Sequence, residues 1–192
     1  EGRIAYSLNA LSVPVGKALR QGVARTVPKA VEIMAYLQML VRKHKDRCMQ
    51  WVTPVGVPVV NWAEGDVIKQ VAIRSMGVQA IYMRYHNGEY NTRVAANGIV
   101  PNFVHSMDSA HLCMTINDAD CSILPIHDSF ATHPSDVPEM HRALRSTFAK
   151  MYTDFSIEEL LDFNSINQED YPIPEQGDLD IKAVNTAPYM FC

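Results

Sequence analysis

The sequence predicts an α+β fold in which long helices stand beside short β-hairpins. Two observations carry this. Apolar residues recur at three- and four-residue intervals from Val13 to about Lys45, most clearly through "AVEIMAYLQMLV" (30–41), the period of helices with one buried face. Farther along, prolines, glycines and an Asn-Gly pair cut β-branched and aromatic runs into pieces suited to hairpins. A hydrophobic fraction of 47% is ample for a packed core, and 192 residues make one ordinary domain or a large piece of something bigger.

Each element follows in order. Pro28 starts the second helix of the first stretch, because proline is tolerated in a first turn and not in an interior. In "WVTPVGVPVV" (51–60), two prolines and Gly56 specify a tight turn between short extended pieces. "VQAIYMRYH" and "EYNTRV" flank Asn87-Gly88, a type I′ turn signal, which predicts a hairpin bearing Arg84, Tyr85, His86, Tyr90 and Arg93 on its outward faces. A loop precedes Pro101, which opens a helix to about Asn117; His105, Asp108 and His111 stand three apart on it and share one face. "ILPIHDSFATHP" (123–134) predicts a strand bent back near "HDS" into a second short strand. Ser135 caps a helix through Tyr152, with Asp136 and Glu139 in the first turn, where negative charge suits the helix dipole. A shorter helix covers 157–163. From Asn164 the tail holds Pro172 and Pro174 and ends "APYMFC"; it reads as a wrapping segment.

The net charge of −4 conceals an asymmetry. Residues 1–95 carry 13 Lys+Arg against 6 Asp+Glu, giving +7, and residues 96–192 carry 4 against 15, giving −11. A basic half suggests a surface for a polyanion, although "VRKHKDR" (41–47) is equally a solvated helix end. Cys48, Cys113, Cys121 and Cys192 show no C-x-x-C spacing, so reduced thiols are expected rather than a zinc knuckle or a disulfide framework. No leader-like segment and no apolar run of membrane-spanning length is present, so a soluble, intracellular product with no membrane partner is expected.

The residue that asks for an explanation is Asp128. A carboxylate at the end of an apolar strand costs several kcal/mol to desolvate unless something compensates. Chemistry alone leaves three readings. Asp128 at a hairpin bend can hold a divalent cation for phosphoryl transfer, where metal ions neutralise phosphate charge and orient the attacking oxygen. His105, His111, His127 and Asp128 can form the His/Asp metal centre of a phosphohydrolase. Or each can be satisfied structurally by backbone groups.

A resemblance separates these. "NGIVPNFVHSMDSAHL" (97–112) followed by "PIHDSFATHPSDV" (125–137) resembles the last conserved blocks of the single-subunit RNA polymerases of phages and mitochondria. The family pattern there is P-N-F-[VI]-H-S-x-D-x-x-H-[LM], then [IV]-H-D-[SC]-[FY]-x-T. "AVEIMAYL" (30–37) is similar to the helix before that family's W-V-T-P-x-G-x-P-V, matched by 51–59. "GVQAIYMRYHNGE" (77–89) resembles the hairpin that family members insert into promoter DNA, and "GDLDIKAVNTAPYMFC" (177–192) their terminus. Together these blocks run in order from about residue 30 to 192.

The resemblance implies a C-terminal part of a palm and fingers, with a catalytic β-hairpin on helices and a promoter-recognition hairpin. Its divisions would be a helical segment following the fingers (1–47), β-hairpins including a specificity hairpin at 78–94 (48–100), a palm with the catalytic hairpin at 121–134 (101–163), and a wrapping tail (164–192). Asp128 would be the second of two aspartates holding Mg2+, with His127 shaping the site around the RNA 3′ end. His105 would reach the primer end, and Phe191 would stand where the terminus returns toward the site. Asp108 and His111 would orient or support. Arg84 and Arg93 are the candidates for reading promoter DNA, since a two-stranded ribbon fits the major groove. The implied partners are DNA template and promoter, ribonucleoside triphosphates and RNA product. The implied location is the cytoplasm of a phage-infected bacterium, with the mitochondrion as the alternative.

Two family blocks have no counterpart: the first aspartate, and the nucleotide-binding R-x-x-x-K-x-x-x-M-x-x-x-Y-G. "RTVPKAVEIMAYL" (25–37) imitates the latter, but Tyr36 falls seven residues after Lys29 where eight are needed, and no glycine follows. One residue fewer turns the tyrosine by about 100° on a helix, so Lys29 reads as a surface residue. "DFS" (154–156) lacks the rest of the first block. Two-metal transfer needs carboxylates from more than one element. The chain is therefore expected to act only beside an upstream polymerase segment or subunit. The rival from another class is a nucleic-acid-binding subunit that kept the fold and lost the chemistry.

Overall fold

A computed structural model describes residues 8–73, 79–126 and 129–190. Helices α1 (Leu8–Thr26) and α2 (Pro28–Lys43) are followed by strands β1 (Met49–Val52) and β2 (Pro58–Asn61), then β3 (Glu64–Ile73) and β4 (Gln79–Tyr90). Helix α3 (Thr92–Asp118), strands β5 (Leu124–Ile126) and β6 (Ser129–Ala131), and helices α4 (Val137–Asp154) and α5 (Ile157–Phe163) complete the order. Among the described residues the strands form three separate antiparallel pairs, β1–β2, β3–β4 and β5–β6. The result is helices with small antiparallel sheets, as an α+β fold requires.

The core lies where α2 meets α3. Tyr36, Leu37, Leu40 and Val41 of α2 are buried at helical spacing against Ala95, Ala96 and Ile99 of α3, whose small alanines allow close approach. Met49 and Trp51 of β1 and Leu160 and Leu161 of α5 close this cluster. A second cluster joins Met107 and Ala110 of α3 to Met151 of α4, with Phe103 and Phe155 beside it. The tail crosses α2, where the Tyr36 hydroxyl donates to the Tyr171 carbonyl at 2.9 Å. No helix among the described residues is long and apolar enough to cross a membrane.

Most local expectations hold. Pro28 occupies the first turn of α2. The 51–60 stretch is a hairpin closed by Gly56 N–H on the Thr53 carbonyl at 2.8 Å, with Pro54 preset for the turn and Gly56 at φ 84°. The α5 helix spans the expected residues. Ser135 does not cap α4; it sits in the short 3-10 turn Pro134–Asp136, with its hydroxyl on the Asp136 carboxylate at 2.9 Å.

Two further expectations are corrected. Pro101 does not open α3 but lies inside it. The helix starts nine residues earlier because Asn91 Oδ1 accepts the Arg93 and Val94 N–H groups at 3.1 and 3.2 Å, and because Ala95, Ala96 and Ile99 are core residues. That burial outweighs the one hydrogen bond a proline removes. Nor is Asn87-Gly88 a hairpin turn. It lies within β4, which pairs with β3 from Asp66↔His86 to Ile73↔Gln79. Between that register and Glu64↔Tyr90, residues 87–89 face Gly65 alone, so the pair makes an irregularity in a longer ribbon, with Gly88 at φ 73°. The connection at 74–78 lies outside the described residues.

Candidate functional site

Helix α3 presents two faces with different work. Its inward polar groups are all engaged. The Trp51 indole N–H donates to Ser106 Oγ at 2.9 Å, and that hydroxyl donates to the Phe103 carbonyl at 2.7 Å. Asn102 Nδ2 donates to Asn61 Oδ1 at 2.9 Å, while the buried Asn61 amide donates to the Ala95 carbonyl at 3.0 Å. The 51–61 hairpin and the 97–112 stretch are thus one interlocked unit. His105 and Asp108 are left exposed on the other side.

His111 does not join them. It is buried, with Nε2 2.8 Å from the Leu144 carbonyl of α4 and its ring edge-on to Phe148. Burial pushes its pKa down, opposed by that carbonyl and by the charge of Asp108. The shared face fails because residues three apart drift by about 60° per step, so six residues separate His105 from His111 by about 120°. Among the described residues, no group of three His, Cys, Asp or Glu could hold a metal ion. His111 belongs to a structural seam with Thr115 and Thr147, whose hydroxyls are 3.0 Å apart.

Beyond α3 the chain forms the β5–β6 hairpin, registered Leu124↔Ala131, Pro125↔Phe130 and Ile126↔Ser129. His127 and Asp128 fall in sequence between the last pair and lie outside the described residues, as does Phe191. The hairpin's base is tied firmly. Thr132 Oγ1 donates to the Ser122 carbonyl at 2.7 Å, and the Asp120 N–H donates to Glu139 Oε1 at 3.2 Å. Arg142 clamps Glu139 at 2.6 Å and Asp118 at 3.1 Å, joining the end of α3 to the start of α4. The guanidinium holds the Glu139 pKa down to about 2. The hairpin itself is open: Leu124 and Ile126 are 61% and 58% exposed.

On the β3–β4 ribbon, Arg84 is exposed and ion-paired with Asp66 at 3.6 Å; His86 lies 3.1 Å from the same carboxylate. Arg93 is not on the ribbon but in the first turn of α3, so the two arginines belong to different elements. Lys29 is a surface residue paired with Glu32 at 3.2 Å. Sequence reasoning passed over Asn61, Ser106 and Arg145 as site or support residues. The first two are polar residues next to core positions, and Arg145 is an arginine between buried ones. That is a signal periodicity cannot rank.

The helix 97–112 and the β5–β6 hairpin are thus joined through α4 on one α+β body. The sequence profile of the DNA-dependent RNA polymerase family matches residues 15–171. The DNA-directed RNA polymerase of Pseudomonas phage phiKMV is 32% identical over 198 residues, covering 100% of this chain and 24% of that protein. DNA-directed RNA polymerase 2, chloroplastic/mitochondrial, of Arabidopsis thaliana is 33% identical over 153 residues, 77% of this chain and 15% of that one. DNA-directed RNA polymerase 1A of Nicotiana tabacum is 31% identical over 156 residues, 74% of this chain and 94% of that one. The chain belongs to the DNA-dependent RNA polymerase family, of the single-subunit type. It spans about a quarter of the phage relative's length and less of the Arabidopsis one.

Proposed function

We propose that this chain supplies the metal-holding hairpin and the primer-end helix of a DNA-directed RNA polymerase. The reaction is attack of an RNA 3′-hydroxyl on the α-phosphate of a ribonucleoside triphosphate, with pyrophosphate leaving. One observation carries the reading: β5 and β6 pair so that only His127 and Asp128 connect them, in a chain of the polymerase family. In sequence Asp128 stands directly before β6, and a carboxylate is the oxygen ligand that a hard divalent cation takes. Mg2+, when bound, supplies charge neutralisation on the phosphates and a more acidic 3′-hydroxyl. Asp128 would hold it; His127 and the exposed His105 would orient the 3′ end; Phe191 would brace the nucleotide side.

A two-metal reaction takes carboxylates from more than one element. In this proposal the first aspartate and the Lys/Tyr helix come from a further polymerase segment, and the 192 residues alone make no RNA. The ribbon with Arg84 meets promoter DNA, and Arg93 at the head of α3 contacts backbone phosphate. The relatives act as a guide to place: the infected bacterial cytoplasm on the phage reading, an organelle on the other.

The test is Asp128→Asn in the complete polymerase, assayed on a promoter template over a Mg2+ titration. Loss of about 10²- to 10³-fold in rate, with template binding kept, is expected for a group that acts in the transition state. Undiminished synthesis would remove Asp128 from the chemistry and with it this proposal.

A further inference from the structure

Helix α4 carries a cation that the polymerase reading does not use. Arg145 is 7% exposed, and among the described residues no carboxylate pairs with it. Its Nη1 donates to the carbonyl of Ala187, and its Nε is buried with no partner among the described residues. Arginine is seldom buried unpaired, because a desolvated guanidinium is costly. By contrast Arg142, one turn earlier, is half exposed and meets two carboxylates.

What Arg145 touches is the tail. The 3-10 turn Ile181–Asn185 packs on α4, started by Asp180, whose carboxylate accepts the Lys182 N–H at 3.0 Å. After Thr186 the chain lies over Arg145, where Pro188, Tyr189 and Met190 with His141, Leu144 and Arg145 line a cavity of about 310 Å³. An anion-binding role fits less well, since a dissolved ion cannot reach the sealed Nε. A planar guanidinium with fixed donors is suited to holding a backbone carbonyl at a set angle, as an ammonium is not.

We propose that Arg145 is a positioning residue: it pins 187–190 to α4 and so sets where the chain continues to Phe191, the next residue in sequence. This rests on the polymerase reading of Phe191; the pinning itself does not. Two variants, Arg145→Met and Arg145→Lys, test it in the full chain by hydrogen exchange and in the complete polymerase by steady-state kinetics. Arg145→Met is expected to speed exchange at 186–190 by about tenfold or more while α2 and α3 stay protected, with Arg145→Lys intermediate. In the polymerase it raises KM for the nucleoside triphosphate several-fold with kcat nearly kept, the mark of lost binding rather than lost chemistry. Phe191→Ala gives the same split, and the double variant adds nothing further.

Unchanged exchange at 186–190 would overturn the pin. Loosening of the whole chain in both variants would make Arg145 a core residue only, and additive kinetic losses would detach it from Phe191. Slower exchange in the wild type on adding inorganic phosphate would replace the pin with an anion seat. If Asp128→Asn leaves synthesis intact while Arg145→Met frees 186–190, the polymerase reading falls and the pin stands.

Discussion

The helix block (101–112) and the hairpin block (123–134) were both singled out by motif, yet they are built in opposite ways. In the first, Asn102, Phe103, Ser106, Met107, Ala110 and His111 each have an inward partner or a place in a core cluster. Packing and buried hydrogen bonds account for those identities, and the exposed residues His105 and Asp108 are among those they leave unexplained. In the second, no described residue of β5 or β6 is buried, and the ties lie at the base, on Ser122, Thr132, Asp120 and Glu139. Packing within this chain explains little of that block. A motif is a stronger functional signal where the scaffold does not need its residues, and by that measure the hairpin outranks the helix.

The contrast breaks if stability fails to follow it. Trp51→Ala empties the junction between β1 and α3 and also frees Ser106, so a loss of about 3–5 kcal/mol in denaturant unfolding is expected. Leu124→Ala on the hairpin should cost less than about 1 kcal/mol, as at most exposed sites. A large cost at Leu124 would mean that the hairpin is part of the core after all. Next in size is Asn61→Ala. It strips a buried amide that links β2 to Ala95 and Asn102, at a cost of about 1–3 kcal/mol. The same substitution at Asn87, on the ribbon, should fall within about 0.5 kcal/mol.

A pH measurement sharpens the contrast further. Burial lowers the His111 pKa below its ordinary 6.5, so the folded chain binds that proton less readily than the unfolded chain. Its contribution is therefore complete above about pH 6.5 and declines as pH falls, until the folded group protonates too. Burial shifts His44 the same way, so one substitution removes only part of the slope. In His111→Gln the amide can still donate to Leu144 but cannot titrate. Its melting temperature should drop less than the wild type's on acidification from pH 7 to 5. Equal drops would show that His111 is not held neutral in the seam.

These cases show what a reader of sequence can recover. Helix α2, α5, the 51–60 turn and the β5–β6 pairing were legible because period, proline and glycine act locally. The start of α3 was not, since Pro101 is the louder signal and the burial of Ala95 and Ile99 is a tertiary fact. Asn91 was the legible clue, an N-cap residue before a helical run. The Asn-Gly pair misled because its usual turn competes with a partner strand, 64–73, that offers longer pairing. At the site, the motif residues could be named from sequence but their division could not. Whether a histidine on α3 faces solvent or Leu144 depends on where α4 packs.

The smallest expected effect concerns the ribbon. Arg84 and Asp66 are an exposed pair at 3.6 Å, the kind that contributes roughly 0–1 kcal/mol, so Arg84→Ala and Asp66→Asn should leave unfolding almost unchanged. Their consequences for DNA should nevertheless be opposite in sign. Losing Arg84 removes one cation, and the salt dependence of DNA binding by the complete polymerase should weaken by about one unit of slope if it meets a phosphate. Losing the Asp66 charge frees the guanidinium and removes a repulsion, so weak binding to random duplex should tighten. If Arg84 reads a base instead, the salt slope holds and promoter preference relaxes at one position. Equal binding and preference in both variants would make Arg84 an ordinary surface residue and remove it from promoter reading.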